Sequence, residues 1–213
     1  MYMKLIAIIA DIVGSKEIED RYAFQEDLKE KLATINSLRT NIISPFTITL
    51  GDEFQALYKN CEGLIWDIFN IMHHLYPYQV RVAIGRDEIL TEINEIESIG
   101  MDGPAFYLAR DGLEGMKKEK MNLLQFYERK GDGLLFINES LKLVMSFMND
   151  WKPNTMHIFQ NLIEEKAVKV IADEINISER GVYKIMETQK LKGYLEYMKS
   201  LDQQINLLWK NND

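Results

Sequence analysis

The chain has 213 residues, 46% of them hydrophobic and 27% charged, with a formal charge of −8 and a pI near 5.1. This is the make-up of an ordinary globular protein with room for one large domain or two small ones, and its acidity excludes broad nonspecific coating of nucleic acid, leaving at most a local basic face. The single cysteine, Cys61, excludes an internal disulfide and a cysteine-rich zinc site, and no stretch approaches the roughly 18–20 apolar residues that span a bilayer, so the expected location is cytoplasmic.

Residues 5–10 (Leu-Ile-Ala-Ile-Ile-Ala) are too apolar for anything but a central strand. The start lacks a basic leader beyond Lys4 and is broken by Asp11, so it is not expected to be a secretory signal. Ser15 is then expected to cap a helix whose apolar residues Ile18, Tyr22, Leu28, Leu32, Ile35 and Leu38 follow helical spacing. Residues 46–50 and 53–58 form a predicted hairpin turning at Gly51-Asp52. A clear amphipathic helix follows over 62–75, ended by Pro77, and then an alternating strand over 79–84. The acidic stretch 87–97 is expected to be an edge strand or loop. Gly103-Pro104 opens a helix to about Lys118, residues 122–127 a strand, Gly131-Asp132-Gly133 a turn, and 138–151 another helix. This order predicts an α+β sheet domain over 1–152 with its helices packed on one face.

Beyond Trp151-Lys152-Pro153 no strand pattern returns, so residues 153–213 form a second, all-α domain. It carries 8 Lys and Arg against 9 Asp and Glu, and most of the acidity therefore lies before it. Within it, Ala172, Asn176 and Ser178 have the sizes and turn chemistry of a helix-turn-helix, with Val182 and Ile185 facing inward. Arg180, Tyr183 and Lys184 would then face DNA, although the basic excess there is slight for such a role. Tyr194, Met198, Leu201, Ile205 and Leu208 form a seam on the last helix, for pairing with a second copy or for packing back onto its own domain.

Chemistry concentrates at two acids. Asp11 and Asp52 each stand where an apolar strand enters a glycine-containing turn, a costly place for a charge unless something neutralises it. Two such carboxylates brought together repel unless a cation lies between them. With the carbonyl of Ile12 they would make a hard, oxygen-only site suited to Mg2+ or Mn2+, and Gly14 and Ser15 would present amides to a phosphate. Either motif taken alone is an ordinary turn. His73-His74 is expected to be solvated or capping, Cys61 a structural thiol, and Trp66, Trp151 and Trp209 packing residues.

The segments Asp11-Ile12-Val13-Gly14-Ser15 and Gly51-Asp52-Glu53-Phe54 resemble the paired metal motifs of class III nucleotidyl cyclases and the related GGDEF-type enzymes. The resemblance covers about residues 1–127. It implies a ferredoxin-like, nucleotidyl-cyclase-type domain in which Asp11 and Asp52 hold divalent ions under a nucleoside triphosphate, with Glu53 and Arg110 in the nucleotide site and a homodimer as the working unit. The pattern departs where cyclases carry an asparagine one turn before the arginine: Phe106 or Tyr107 stands there, and Leu50 replaces the first glycine of GGDEF. Lys130 is a further candidate phosphate cation. Across its whole length, with "ADIVGS", "GDEFQ" and a helical tail, the chain resembles the SatD family. The leading expectation is a regulatory protein that binds metal and nucleotide and carries a DNA-binding tail. The alternatives are an active two-metal cyclase, transferase or triphosphate hydrolase, and a degenerate cyclase fold serving as a protein-interaction module.

Overall fold

The computed structural model describes residues 4–120, 124–129 and 133–210; the predicted turn at 131–133 and the Lys130 candidate lie almost wholly or wholly outside them. A five-stranded sheet runs in the order β2-β3-β1-β4-β5. Strand β1 (Lys4–Ile12) is central, with β3 (Glu53–Tyr58) and β4 (Val80–Glu88) antiparallel on its two sides. Strand β2 (Ile42–Leu50) pairs with β3 through the hairpin, and β5 (Leu124–Tyr127) lies parallel to β4. Helix α1 (Arg21–Leu38) joins β1 to β2 and α2 (Leu64–Leu75) joins β3 to β4, completing a split βαβ arrangement.

Every residue from Leu5 to Ile12 is buried, so both faces of the sheet must be covered, and they are. On one face Phe46 stacks edge-on against Phe54 and Tyr58, at 6.1 and 5.8 Å between centroids. Asn36 of α1 clasps the backbone of Phe46, and the Tyr58 hydroxyl donates to Asp67 of α2. The opposite face carries α3 (Pro104–Lys118). A Cβ on Gly85 of β4 would stand 2.2 Å from the carbonyl oxygen of Ala105, and one on Gly112 of α3 would strike the Tyr127 ring. The expectation of helices on a single face is thus corrected: an unbroken apolar strand, with no polar alternation, requires a layer on either side.

The entry to α1 also differs. Ser15 does not cap it; a single 3-10 turn (Ser15–Glu17) intervenes, and Asp20 caps α1 by accepting from the Ala23 amide at 2.9 Å. The acidic stretch is a loop. Its Ser98 amide donates to Thr47, its Ser98 hydroxyl bonds Ser44, and its Ser98 carbonyl accepts from Gln55, which fastens it over β2 and β3.

Helix α4 (Leu134–Met148) begins four residues before the expected start. Helices α5 (Pro153–Ile163), α6 (Val168–Glu174), α7 (Glu179–Thr188) and α8 (Leu191–Lys210) follow. Phe159 of α5 packs edge-on against Phe69 of α2 and against Trp151. The α8 seam turns inward, with Met198, Leu201, Ile205 and Trp209 buried. Trp209 reaches the sheet, edge-on to Phe126 at 5.3 Å, and its carbonyl accepts from Arg86. One hydrophobic core therefore continues across residue 152. Among the described residues no helix is long and apolar enough to cross a membrane.

Candidate functional site

Asp11, the last-but-one residue of β1, lies directly opposite Glu53 on β3 and Arg81 on β4, so the three form one row across the sheet. Side chains in such a row share a face, here the face under α3. Arg81 Nη1 stands 3.3 Å from Asp11 Oδ2, and Lys117 Nζ of α3 stands 3.4 Å from the same oxygen. Arg110, two turns earlier on α3, bonds Glu53 Oε2 at 2.6 Å. Both acids are buried. Burial pushes the Asp11 carboxyl above its ordinary pKa, and the Lys117 and Arg81 charges pull against that rise.

Asp52 sits one residue before Glu53 in the hairpin turn, where Gly51 adopts the left-handed φ of +69°. Its carboxylate accepts the Ser15 hydroxyl, which ties the turn after β1 to the hairpin. Gln25 of α1 donates to the Gly51 carbonyl at 2.7 Å and steadies the same turn. Gly14 is left-handed, with φ +70°, and opens only the three-residue 3-10 turn, so the amides it offers with Ser15 are fewer than a long helix would give. The Ile12 side chain is buried, and the following amide of Val13 donates to Gln79 across the strand end.

Asp11 thus meets Arg81 and Lys117, Glu53 meets Arg110, and Asp52 is held by the Ser15 hydroxyl. Among the described residues no group of three or more His, Cys, Asp or Glu side chains is arranged to hold a metal ion. Arg110, expected in the nucleotide site, is engaged by Glu53. Arg81 and Lys117 were not singled out from the sequence. The available signals were the alternation of β4, which puts Arg81 on the side away from Val80 and Val82, and the seven-residue spacing of Arg110 and Lys117, which puts both on one stripe of α3.

In the tail, Asn176 takes a left-handed φ of +51° between α6 and α7, and Ser178 caps α7 by accepting from the Gly181 amide at 3.1 Å. Val182 and Met186 are buried; Ile185 is half-buried; Arg180, Tyr183 and Lys184 are exposed together. Elsewhere, Cys61 is buried and its thiol pushed up by desolvation, in keeping with a structural role. His73 is half-buried and His74 exposed; the His73 ring lies 5.4 Å from His74 and 5.7 Å from His157, and burial first, then the neighbouring histidines, lower its pKa to about 4.

The model of the SatD family matches residues 5–207. No curated protein matches the sequence. Among solved structures, the chain is similar to the dimeric guanylyl cyclase domain of the RhoGC fusion protein from the aquatic fungus Blastocladiella emersonii, at 14% identity over 59% of this chain and 79% of that one, with a TM-score of 0.44. It is also similar to a bacterial light-regulated adenylyl cyclase (14% identity, 59% and 76% covered, TM-score 0.40). A third similar structure is an adenylate/guanylate cyclase/hydrolase from Silicibacter pomeroyi (16% identity, 56% and 83% covered, TM-score 0.37).

Proposed function

The chain belongs to the SatD family, and on that footing we propose that it is a regulatory protein. Its sheet half takes up a nucleoside triphosphate with Mg2+ or Mn2+ at the Asp11–Asp52 end, and its helical half engages DNA. The observation that carries the first part is the row Glu53–Asp11–Arg81 with Lys117 and Arg110 laid across it from α3, two acids among three cations. A metal–triphosphate is a cation joined to an anion, so it exchanges partners with such a row without stranding a buried charge. Asp11, Asp52 and the Ile12 carbonyl would hold the ion, a hard oxygen set. Lys117, released from Asp11, receives the phosphates together with Arg110, which keeps its hold on Glu53, and Gly14 and Ser15 add amides from the adjoining turn.

Calorimetric titration with the magnesium complexes of ATP and GTP tests this. Uptake that disappears in Asp11→Ala and in Asp52→Ala is expected; wild-type protein that takes up neither nucleotide overturns it. Repeated turnover in product analysis would move the reading to a two-metal enzyme.

The second part is supported by the capped helix α7, which exposes Arg180, Tyr183 and Lys184 on one side while burying Val182 and Met186 on the other. Its weak basic excess calls for two copies acting together, so the working unit is a homodimer. Salt-dependent retardation of promoter DNA, weakened in Arg180→Ala, is expected. A protein that retards no DNA even at low salt removes this part.

A further inference from the structure

At the end of the sheet remote from Asp11, α8 spans the opposite face and leaves a cavity of about 800 Å³ above β1, β4 and the turn after β3. That is within the range of small-molecule sites. Two buried polar atoms on α8 lack a partner among the described residues: the indole Nε1 of Trp209 and Oδ1 of Asp202. Trp209 is 3% exposed. Native proteins leave few such groups unmet, because each forfeits its hydration for nothing. Both belong to side chains that line this one cavity, and they point to something that supplies the complementary pair.

The cavity is also electrically divided. At the Asp202 end lies Glu62, with Lys59 also in the lining. Trp66 and the Arg39 charge favour the Asp202 carboxylate, and the Glu62 charge opposes it. At the Trp209 end lie Lys4, Arg86 and Lys210, of which Lys4 and Arg86 share the Glu128 carboxylate at 3.1 and 2.8 Å. Arg86 also holds the Trp209 carbonyl and covers the indole at 5.6 Å. Asp202 and Trp209 are seven residues apart, two turns of one helix face and about 10 Å along its axis. Asn206 lies between them, its side-chain amide nitrogen donating to the Asp202 carbonyl at 2.8 Å. Ile6 supplies an apolar floor.

We infer that this cavity is a ligand site separate from the Asp11 end, built for a small amphoteric molecule with an N–H donor at one end and a phosphate or carboxylate roughly 10 Å away at the other. The N–H group meets Asp202, and the anionic group meets the Trp209 indole and the Lys4 and Lys210 ammoniums. Two sources carry this chemistry: an aminopurine mononucleotide, and a zwitterionic tripeptide, which extends to about 10 Å.

The test uses the full chain labelled with 15N-tryptophan, in chelator so that no divalent ion supports uptake at the Asp11 end. The three tryptophans give three indole signals, assigned with Trp209→Phe and Trp151→Phe. Adenosine 5′-monophosphate and triglycine are titrated separately to millimolar concentration. Movement of the Trp209 signal to lower field is expected as its N–H gains an acceptor, with a smaller shift at Trp66 and none at Trp151. Which probe produces it names the source. Asp202→Asn, of equal size, should weaken the uptake by about tenfold or more, as loss of a bond to a charged group does. No movement of Trp209 with either probe overturns the inference, and so does uptake that Asp202→Asn leaves unchanged. Because chelator silences the metal-dependent reading, failure here says nothing against nucleotide uptake at Asp11.

Discussion

Gly85→Ala and Gly115→Ala should move stability in opposite directions, although both exchange a hydrogen for a methyl group. At Gly85 the new Cβ meets the Ala105 carbonyl oxygen at 2.2 Å, the Ala109 amide nitrogen at 2.8 Å and the Leu108 Cβ at 3.0 Å. Two of these are backbone atoms, which cannot swing aside. Ordinary contact begins near 3.4 Å, so α3 must retreat by about 1 Å, and gaps of that size forfeit a quarter to a half of each lost contact. Overpacking that forces backbone shifts costs about 1–3 kcal/mol, and we expect the upper end. At about 2–4 °C per kcal/mol for a chain of this length, the midpoint falls by roughly 6–12 °C. Gly115 has nothing within 4 Å of a new Cβ, and there alanine gains about 0.5–1 kcal/mol of helix propensity. Calorimetric melting of both variants beside the wild type is the assay. A Gly85→Ala midpoint within about 2 °C of wild type, or the same sign for both variants, would refute the close α3–β4 packing and with it the delivery of Lys117 and Arg110 to the acids.

Three further effects follow from buried ionisable groups. Asp67 accepts from Arg39 Nε at 2.9 and 3.1 Å and from the buried Tyr58 hydroxyl at 3.1 Å; Asp67→Ala strands both partners and should cost about 3 kcal/mol in denaturant unfolding, an effect that a purely surface pair would not produce. His73 titrates in the folded chain near 4 rather than 6.5, so the folded state binds its proton less readily than the unfolded chain. Stability should fall as pH drops from about 6.5 through 4, by about 1–2 kcal/mol for a half-buried ring, and His73→Gln should remove that slope. Asp202 has the opposite sign: burial raises its carboxyl to about 6, so its contribution is lost as pH rises through that value. Asp202→Asn should therefore stabilise the chain at pH 7.5 by about 1–2 kcal/mol, again allowing for solvent screening; no gain there would contradict the desolvation.

The elements with strong patterns were legible from residue order alone. The unbroken run of β1, the apolar stripe of α2 and the middle of the α8 seam stand where periodicity puts them, while at the seam's ends Tyr194 and Leu208 are half-buried and Trp209 is buried instead. The layers were not legible, because alternation tells which residues share a face but not which helix will lie on it. Gly85 and Gly112 carried that information as points of close approach, yet neither looks different from a turn glycine in one sequence. The helix start failed for a local reason: Ser15 and Asp20 are both competent caps, and the choice fell to Asp20 once Ser15 was engaged by Asp52 from the hairpin. Asp11 and Asp52 stood out as acids beside apolar strands. Their partners did not, since pairing Asp11 with Arg81 and Lys117 depends on strand register and on the seat of α3, both settled by long-range packing. Trp209 was correctly expected to be buried, but an unmet indole N–H leaves no mark in the letters.

The return of α8 to the sheet limits how this chain can be taken apart. Trp209 lies against Phe126 and under Arg86, more than fifty residues after the helical half begins. Cutting near residue 152 would bare an aromatic seat on one fragment and leave the other with a greasy last helix and nowhere to lay it. Neither piece would keep the aromatic contact that now closes the sheet beneath the last helix.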